Sequence, residues 1–333
     1  MPPSMSTWVR SNRRAAVTAA PLLGVAMVAV GAALWGVDTV FREPLISRGG
    51  ASWQSWTIVM CEHLILTTVC LPLLLTRRHQ IPLLDRMGWL SVLVVAWGGS
   101  ALATLAFTDA LTNIPLGQID SVVLLQKTQP LWAIATAAIV LGERPRPQLA
   151  FFLIPAAVGS YLLAFGTASP GQAFSSPAGR SALLALVAAA LWGSATAFGR
   201  RAMRSISFEL LTTLRFTIAL PLLIALAATH GALTPPASAH TEDYLRILVI
   251  ALVPGLAAML LYYRGLRETP ASVATFAELA WPATAVVLNY VFLGATISRP
   301  ELVGAIILWV TIAQLHRLPV GVTRRPRAEP SAA

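Results

Sequence analysis

The chain carries 23 arginines and a single lysine, and that lysine lies inside an apolar stretch. Lys127 belongs to the run Gln126-Lys127-Thr128-Gln129-Pro130, where amide, ammonium and hydroxyl groups crowd together. An ammonium at the centre of a bilayer costs on the order of 3 kcal/mol on insertion scales, so it requires an acid, a water-filled cavity or a bound anion. Pro130 withholds a backbone donor and bends a helix, freeing the carbonyl of Gln126 for a ligand or water. Asp120, seven residues earlier, shares the helical face but stands about 10 Å along the axis, out of direct reach. Gln126, Lys127 and Gln129 are therefore expected to line a central cavity. The competing arrangement is an ion pair between Lys127 and an acid of another helix.

The candidate acids are Asp38, Glu62 and Glu278. Asp38 and Glu278 are expected to bind substrate or take up a coupling proton; Asp38 equally suits pairing with Lys127, and Glu278 suits burial as a protonated, hydrogen-bonded group. Glu62 and His63 are adjacent, and adjacent helical residues point about 100° apart, so they form no dyad by spacing alone. Arg215, one-third into its own apolar segment, either clamps an anionic group or pairs with an acid. Among the aromatics, Trp281 beside Pro282 and near Glu278 is the pocket candidate. Most membrane tryptophans are packing or interface anchors.

The elements that must position these groups are membrane helices. The 333 residues are 56% hydrophobic and 11% charged, with a mean hydropathy of +0.70. A soluble domain usually carries about 25% charge, and this chain lacks the polar surface to cover a water-soluble globule. Ten apolar segments qualify as spans: 20–41, 54–75, 88–109, 119–141, 147–166, 182–199, 208–229, 244–263, 271–293 and 301–318. Arginines concentrate in the N-terminal tail, in every second connection and in the C-terminal tail, which places both termini in the cytoplasm. The net charge of +10 thus reads as topology and not as nucleic-acid binding. Cys61 and Cys70, nine residues apart on one helix, cannot meet in a disulfide.

Ala33–Phe41 reads ALWGVDTVF and Ala190–Phe198 reads ALWGSATAF, with Trp35 and Trp192 157 positions apart. Leu71-Pro72-Leu73-Leu74 is matched by Leu220-Pro221-Leu222-Leu223, and Pro130 before Leu141-Gly142 by Pro282 before Leu293-Gly294. The order of these pairs implies internal duplication. Five spans per half force the second copy to insert upside down. The expected architecture is an all-α integral membrane protein of about ten transmembrane helices in two inverted five-helix repeats. Its parts are a cytoplasmic tail (1–19), the repeats (20–166 and 182–318) and a disordered tail (319–333). Asp38 then stands where the second half has Ala195, and Lys127 where it has Leu279, while Glu278 takes the place of Gln126. The duplicated Trp35 and Trp192 read as packing elements, with Gly36 and Gly193 permitting close helix approach.

These residues carry a resemblance. Leu34-Trp35-Gly36, Leu191-Trp192-Gly193, Gly265-Leu266-Arg267 and Leu141-Gly142-Glu143-Arg144 resemble the motifs of the drug/metabolite transporter superfamily, in its EamA-like ten-helix branch. The second half departs from the last motif with Leu293-Gly294-Ala295. The resemblance implies a two-bundle carrier of the cytoplasmic (inner) membrane that moves a small metabolite by alternating access.

No Gly-rich loop with a Walker lysine is present, so the driving force is expected to be a proton gradient or substrate exchange. The expected cargo is an amino acid, a drug-like molecule or another small organic solute. The partners are then that substrate and membrane lipid, with a homodimer as the assembly to test. No catalytic residue, cofactor or metal site is expected. A membrane-embedded enzyme acting on lipid would need clustered carboxylates or a nucleophile–base pair, which the sequence lacks. A channel is the other alternative.

Overall fold

The computed structural model describes residues 22–47, 53–112, 128–143, 148–165, 179–293 and 299–315. Among the described residues there are ten helical runs. They are α1 (Leu22–Ile46), α2 (Ser55–Leu83) and α3 (Arg86–Ala110), then α4 (Gln129–Val140), α5 (Gln148–Phe165), α6 (Gly179–Ala202) and α7 (Phe208–Thr229). The set closes with α8 (Thr241–Glu268), α9 (Ala271–Ala277 and Ala280–Leu293) and α10 (Arg299–Leu315). On the described residues alone, α1–α3 and α6–α8 are each long and apolar enough to cross a membrane. Gln126, Lys127 and Asp120 lie outside the described residues.

Two helices run further than the hydropathy pattern suggests. The first does not stop at Phe41; it continues through Arg42, so Arg42 is not a loop cation but part of α1. The reason is local: Asp38 and Arg42 are four residues apart on one helix, and the pair satisfies itself there. The eighth helix begins at Thr241, where a reciprocal box between His240 and Asp243 caps the first turn, and it runs on to Glu268.

The exterior exposes large apolar side chains, while ionisable groups lie buried within an otherwise apolar interior. Ile139 is 84% exposed and Phe292 66%, while Arg42, Glu62, His63, Arg215 and Glu278 are all buried. Such a surface suits hydrocarbon. Since lipid gives helices no hydrophobic reason to associate, small residues must bring them close. Alanines 185, 188 and 189 on α6 and Ala106 and Ala110 on α3 are all buried. Hydroxyls along the spans return to the carbonyl one turn back, as Thr212 does to Phe208 O at 2.8 Å and Thr311 to Ile307 O at 2.7 Å.

The halves interlock. Helix α1 packs on α8 and α9 of the other half, and α6 packs on α3 and α4 of the first. The two LWG glycines mark equivalent crossings. A side chain at Gly36 would meet the backbone of Ala285 and Thr284 Cβ on α9, and one at Gly193 would meet the backbone of Gln129 and Ala133 with Trp132 Cβ on α4. Helix α2 pairs with α7, and α5 with α10, across the approximate twofold.

The duplication also governs backbone irregularities. Helix α3 contains a π-helical segment at Val94–Leu102 and α8 contains one at Ala251–Ala257. Their first residues are 157 positions apart, the same offset as the two tryptophans. Such segments re-aim backbone groups and recur at functional sites. Helix α9 is interrupted at Glu278-Leu279. Pro282 has no N–H to return to Glu278 O, which accepts from Trp281 N at 3.1 Å instead.

Candidate functional site

The irregular stretches of α3, α8 and α9 converge with α1 on a cavity of about 170 Å³ between the two halves. That is room for on the order of ten waters. Its walls are aromatic on two sides. Trp35 of α1 packs against Tyr262 of α8 with ring centroids 5.1 Å apart, and Tyr262 against Tyr263 at 5.4 Å. Phe107 of α3 lies 5.4 Å from Trp192 of α6 and 6.1 Å from Trp281 of α9. Trp35 and Trp192, expected as packing elements, therefore both border the cavity. Each sits one residue before the glycine that lets its helix approach the opposite half.

Three polar groups interrupt these walls. The first is an ion cluster. Arg42 Nε donates to Asp38 Oδ2 at 2.6 Å, and its Nη2 donates to Asp38 Oδ1 at 2.7 Å and to Glu62 Oε2 at 2.9 Å. Two carboxylates thus share one guanidinium whose side chain is 5% exposed. Asp38 borders the cavity and is paired by Arg42. Arg42 lies one residue past the last apolar position of its segment, and the four-residue spacing from Asp38 is the sequence signal that places it on the helix.

The second group joins α2, α3 and α7. His63 Nδ1 lies 2.9 Å from Val59 O, a carbonyl that can only accept, so Nδ1 carries the proton. Its Nε2 accepts from Ser100 Oγ at 2.8 Å, and Ser100 Oγ accepts from Arg215 Nε at 3.2 Å. Arg215 further donates to Tyr263 OH at 2.9 Å and Gly99 O at 2.8 Å. Its partners are neutral. No carboxylate among the described residues lies within ion-pairing distance of it.

The third group surrounds the break in α9. Glu278 Oε1 accepts from Tyr262 OH at 2.7 Å and from Thr196 Oγ1 at 3.3 Å, and Oε2 accepts from the Gln129 side-chain amide. These donors come from α8, α6 and α4, so one carboxyl ties both halves together. Among the described residues no cation pairs with it.

The structure thus gathers Asp38, Gln129, Arg215, Glu278 and Trp281 around one cavity, while Gln126 and Lys127 lie outside the described residues. Glu62 and His63 form no dyad: each faces its own partner, although both border the cavity. Ser100, Thr196 and Phe107 were not singled out by sequence. A serine or phenylalanine in an apolar helix carries no pattern that separates a cavity wall from ordinary packing. At one end, Glu143 of the Leu141-Gly142-Glu143 motif accepts from Arg200 Nη1 at 2.5 Å and from Ala271 N at 3.3 Å, bridging α6 and the start of α9.

A polar, aromatic-walled cavity at the interface of inverted helical repeats, beside broken and π-helical segments, is the arrangement of a membrane transporter. The chain belongs to the EamA-like transporter family, whose sequence profile matches residues 22–165 and again 179–315. It is 30% identical over 297 residues to a protein of Fusobacterium nucleatum named riboflavin transporter ImpX, covering 89% of this chain and 98% of that protein. A solved crystal structure shares the fold with a TM-score of 0.66 at 19% identity, covering 89% of this chain and 95% of that one. The protein is therefore a multi-pass membrane transporter of small molecules.

Proposed function

We propose that the chain is a secondary carrier for a planar, ring-containing metabolite of the riboflavin type. The carrying observation is the pair of repeat-related aromatic walls: Trp35 with Tyr262 on one side, Trp192 with Phe107 and Trp281 on the other. Offset stacking on such rings is worth about 0.5–1.5 kcal/mol per pair beyond the area buried. The name of the Fusobacterium relative supports a flavin among ring compounds. The interlocked halves support alternating access, because rocking one half against the other exposes the cavity to each side in turn.

The carrier resides in the cytoplasmic membrane with both termini inside, in keeping with the arginine distribution. With Arg42 assigned to α1, the first connection retains only Arg48, which sharpens that asymmetry. Glu278 is the coupling carboxyl. It meets only neutral donors among the described residues, whereas Asp38 is held by Arg42.

The test is direct titration of purified protein in detergent with riboflavin, followed by quenching of flavin fluorescence. Saturable quenching is expected for the wild type, with weakening of about tenfold for Trp35→Ala and Trp281→Ala. Folded wild-type protein that leaves flavin fluorescence unchanged would sink the riboflavin reading.

A further inference from the structure

Arg215 departs from the symmetry that organises its surroundings. The Leu-Pro-Leu-Leu runs of α2 and α7 align Leu71 with Leu220, and the same offset sets Arg215 opposite Leu66. Leu66 is fully buried and its methyl groups lie against Gly255, in the π-helical segment of α8. Arg215 lies correspondingly against Gly99, in the π-helical segment of α3, and bonds its carbonyl. One half therefore fills this place with a leucine. Packing of the fold does not require a guanidinium here.

The guanidinium is also held ready. Because Val59 O fixes the proton on His63 Nδ1, the Ser100 hydroxyl donates to His63 Nε2 and turns its oxygen toward Arg215 Nε. Tyr263 supports the group twice, through its hydroxyl and through its ring, whose centroid is 6.0 Å from Cζ. A guanidinium has five N–H bonds. Ser100, Tyr263, Met259 Sδ and Gly99 O take four, which among the described residues leaves one on Nη2 at the cavity wall. Among the described residues every acceptor bonded to this buried cation is neutral, and a further acceptor in the cavity would satisfy the remaining donor.

We infer that Arg215 is a specificity-determining residue that reads the acceptor edge of the substrate ring, the carbonyl and ring-nitrogen side of a flavin-type pyrimidinedione. The inference rests on the riboflavin-type reading above. The aromatic walls grip the faces of the ring without regard to its substituents, and Arg215 distinguishes its edge. A ligand of equal area without a carbonyl acceptor at that edge leaves the donor unpaired, and sites built around a polar partner reject such analogues most strongly.

The experiment is isothermal titration of riboflavin, 2-thioriboflavin and 4-thioriboflavin into wild-type protein and Arg215→Leu, which copies Leu66. Sulfur replaces a carbonyl oxygen with a weaker acceptor of similar shape. Wild type is expected to prefer riboflavin over at least one thio analogue by about tenfold, and Arg215→Leu to bind riboflavin about 10- to 100-fold more weakly. The variant is further expected to bind all three ligands alike, a change in ratio that a merely structural role would not produce. Should the leucine variant aggregate, Arg215→Met is read in the same way. A folded variant that keeps both the wild-type affinity and the wild-type preference overturns the inference and leaves the proposed function standing. Wild type that binds none of the three overturns both.

Discussion

The ion cluster of Asp38, Arg42 and Glu62 gives the most quantitative test of the structure. Arg42→Met removes three charge-assisted hydrogen bonds of 2.6, 2.7 and 2.9 Å and leaves two carboxylates facing each other in the protein interior. Removing one side of a buried pair costs about 3–5 kcal/mol, because the remaining charge is uncompensated. With an unfolding entropy of about 2.1 cal/mol/K per residue, the 333-residue chain should lose roughly 4–7 °C in melting temperature. The assay uses the protein's own thiols. Cys70 is buried and Cys61 half-buried on α2, both free, so a thiol-reactive dye reports their exposure on heating. Neutralising the whole cluster with Asp38→Asn, Glu62→Gln and Arg42→Met should recover most of the loss, since well-packed neutral replacements of buried ion groups are often tolerated. An Arg42→Met protein melting within about 1 °C of wild type, or a neutral triple variant as unstable as the single one, would refute this account of the cluster.

Three further substitutions address packing and coupling. Gly193→Val should destabilise by about 1–3 kcal/mol or more, because a Cβ there meets the backbone of Gln129 and Ala133. Gly98→Val should be milder, its nearest neighbour being the movable Leu191 side chain at 3.5 Å; thermal melts of the pair decide, and equal losses would contradict the close α4–α6 crossing. Glu278→Gln keeps an acceptor for Tyr262 and Thr196 but abolishes proton uptake, so riboflavin flux into proteoliposomes should no longer respond to a pH gradient. A variant still accelerated by the gradient would remove Glu278 from coupling.

The helices and the duplication were legible because both are written in one-dimensional patterns: apolar runs of span length, and ALWG repeated at a fixed offset. Intramembrane charge also speaks from sequence, since Asp38, Arg215 and Glu278 stand out where charge is expensive. What joins them does not. Arg42 was hidden by a helix end placed at the last apolar residue, although the cation four residues after Asp38 extends that helix by satisfying it. Trp35 and Trp192 were read as packing because duplication suggests structure. In an interlocked repeat, however, the crossing glycine and the cavity wall are neighbouring positions on the same helix. The π-helical segments and the Ser100 and Thr196 contacts depend on tertiary juxtaposition, and no local pattern announces them. Gln126 and Lys127 lie outside the described residues.

The cavity between the halves is proposed as a carrier's binding site for a riboflavin-type ring, and that role is open to direct measurement. Counterflow of labelled riboflavin into proteoliposomes measures it directly, because only a carrier that reorients around a bound substrate accelerates entry when unlabelled substrate is loaded inside. Saturable uptake, stimulated by internal riboflavin and lost together in Trp35→Ala and Trp192→Ala, is the predicted result. Uptake that is absent, or that rises linearly with concentration and ignores the internal load, would contradict it.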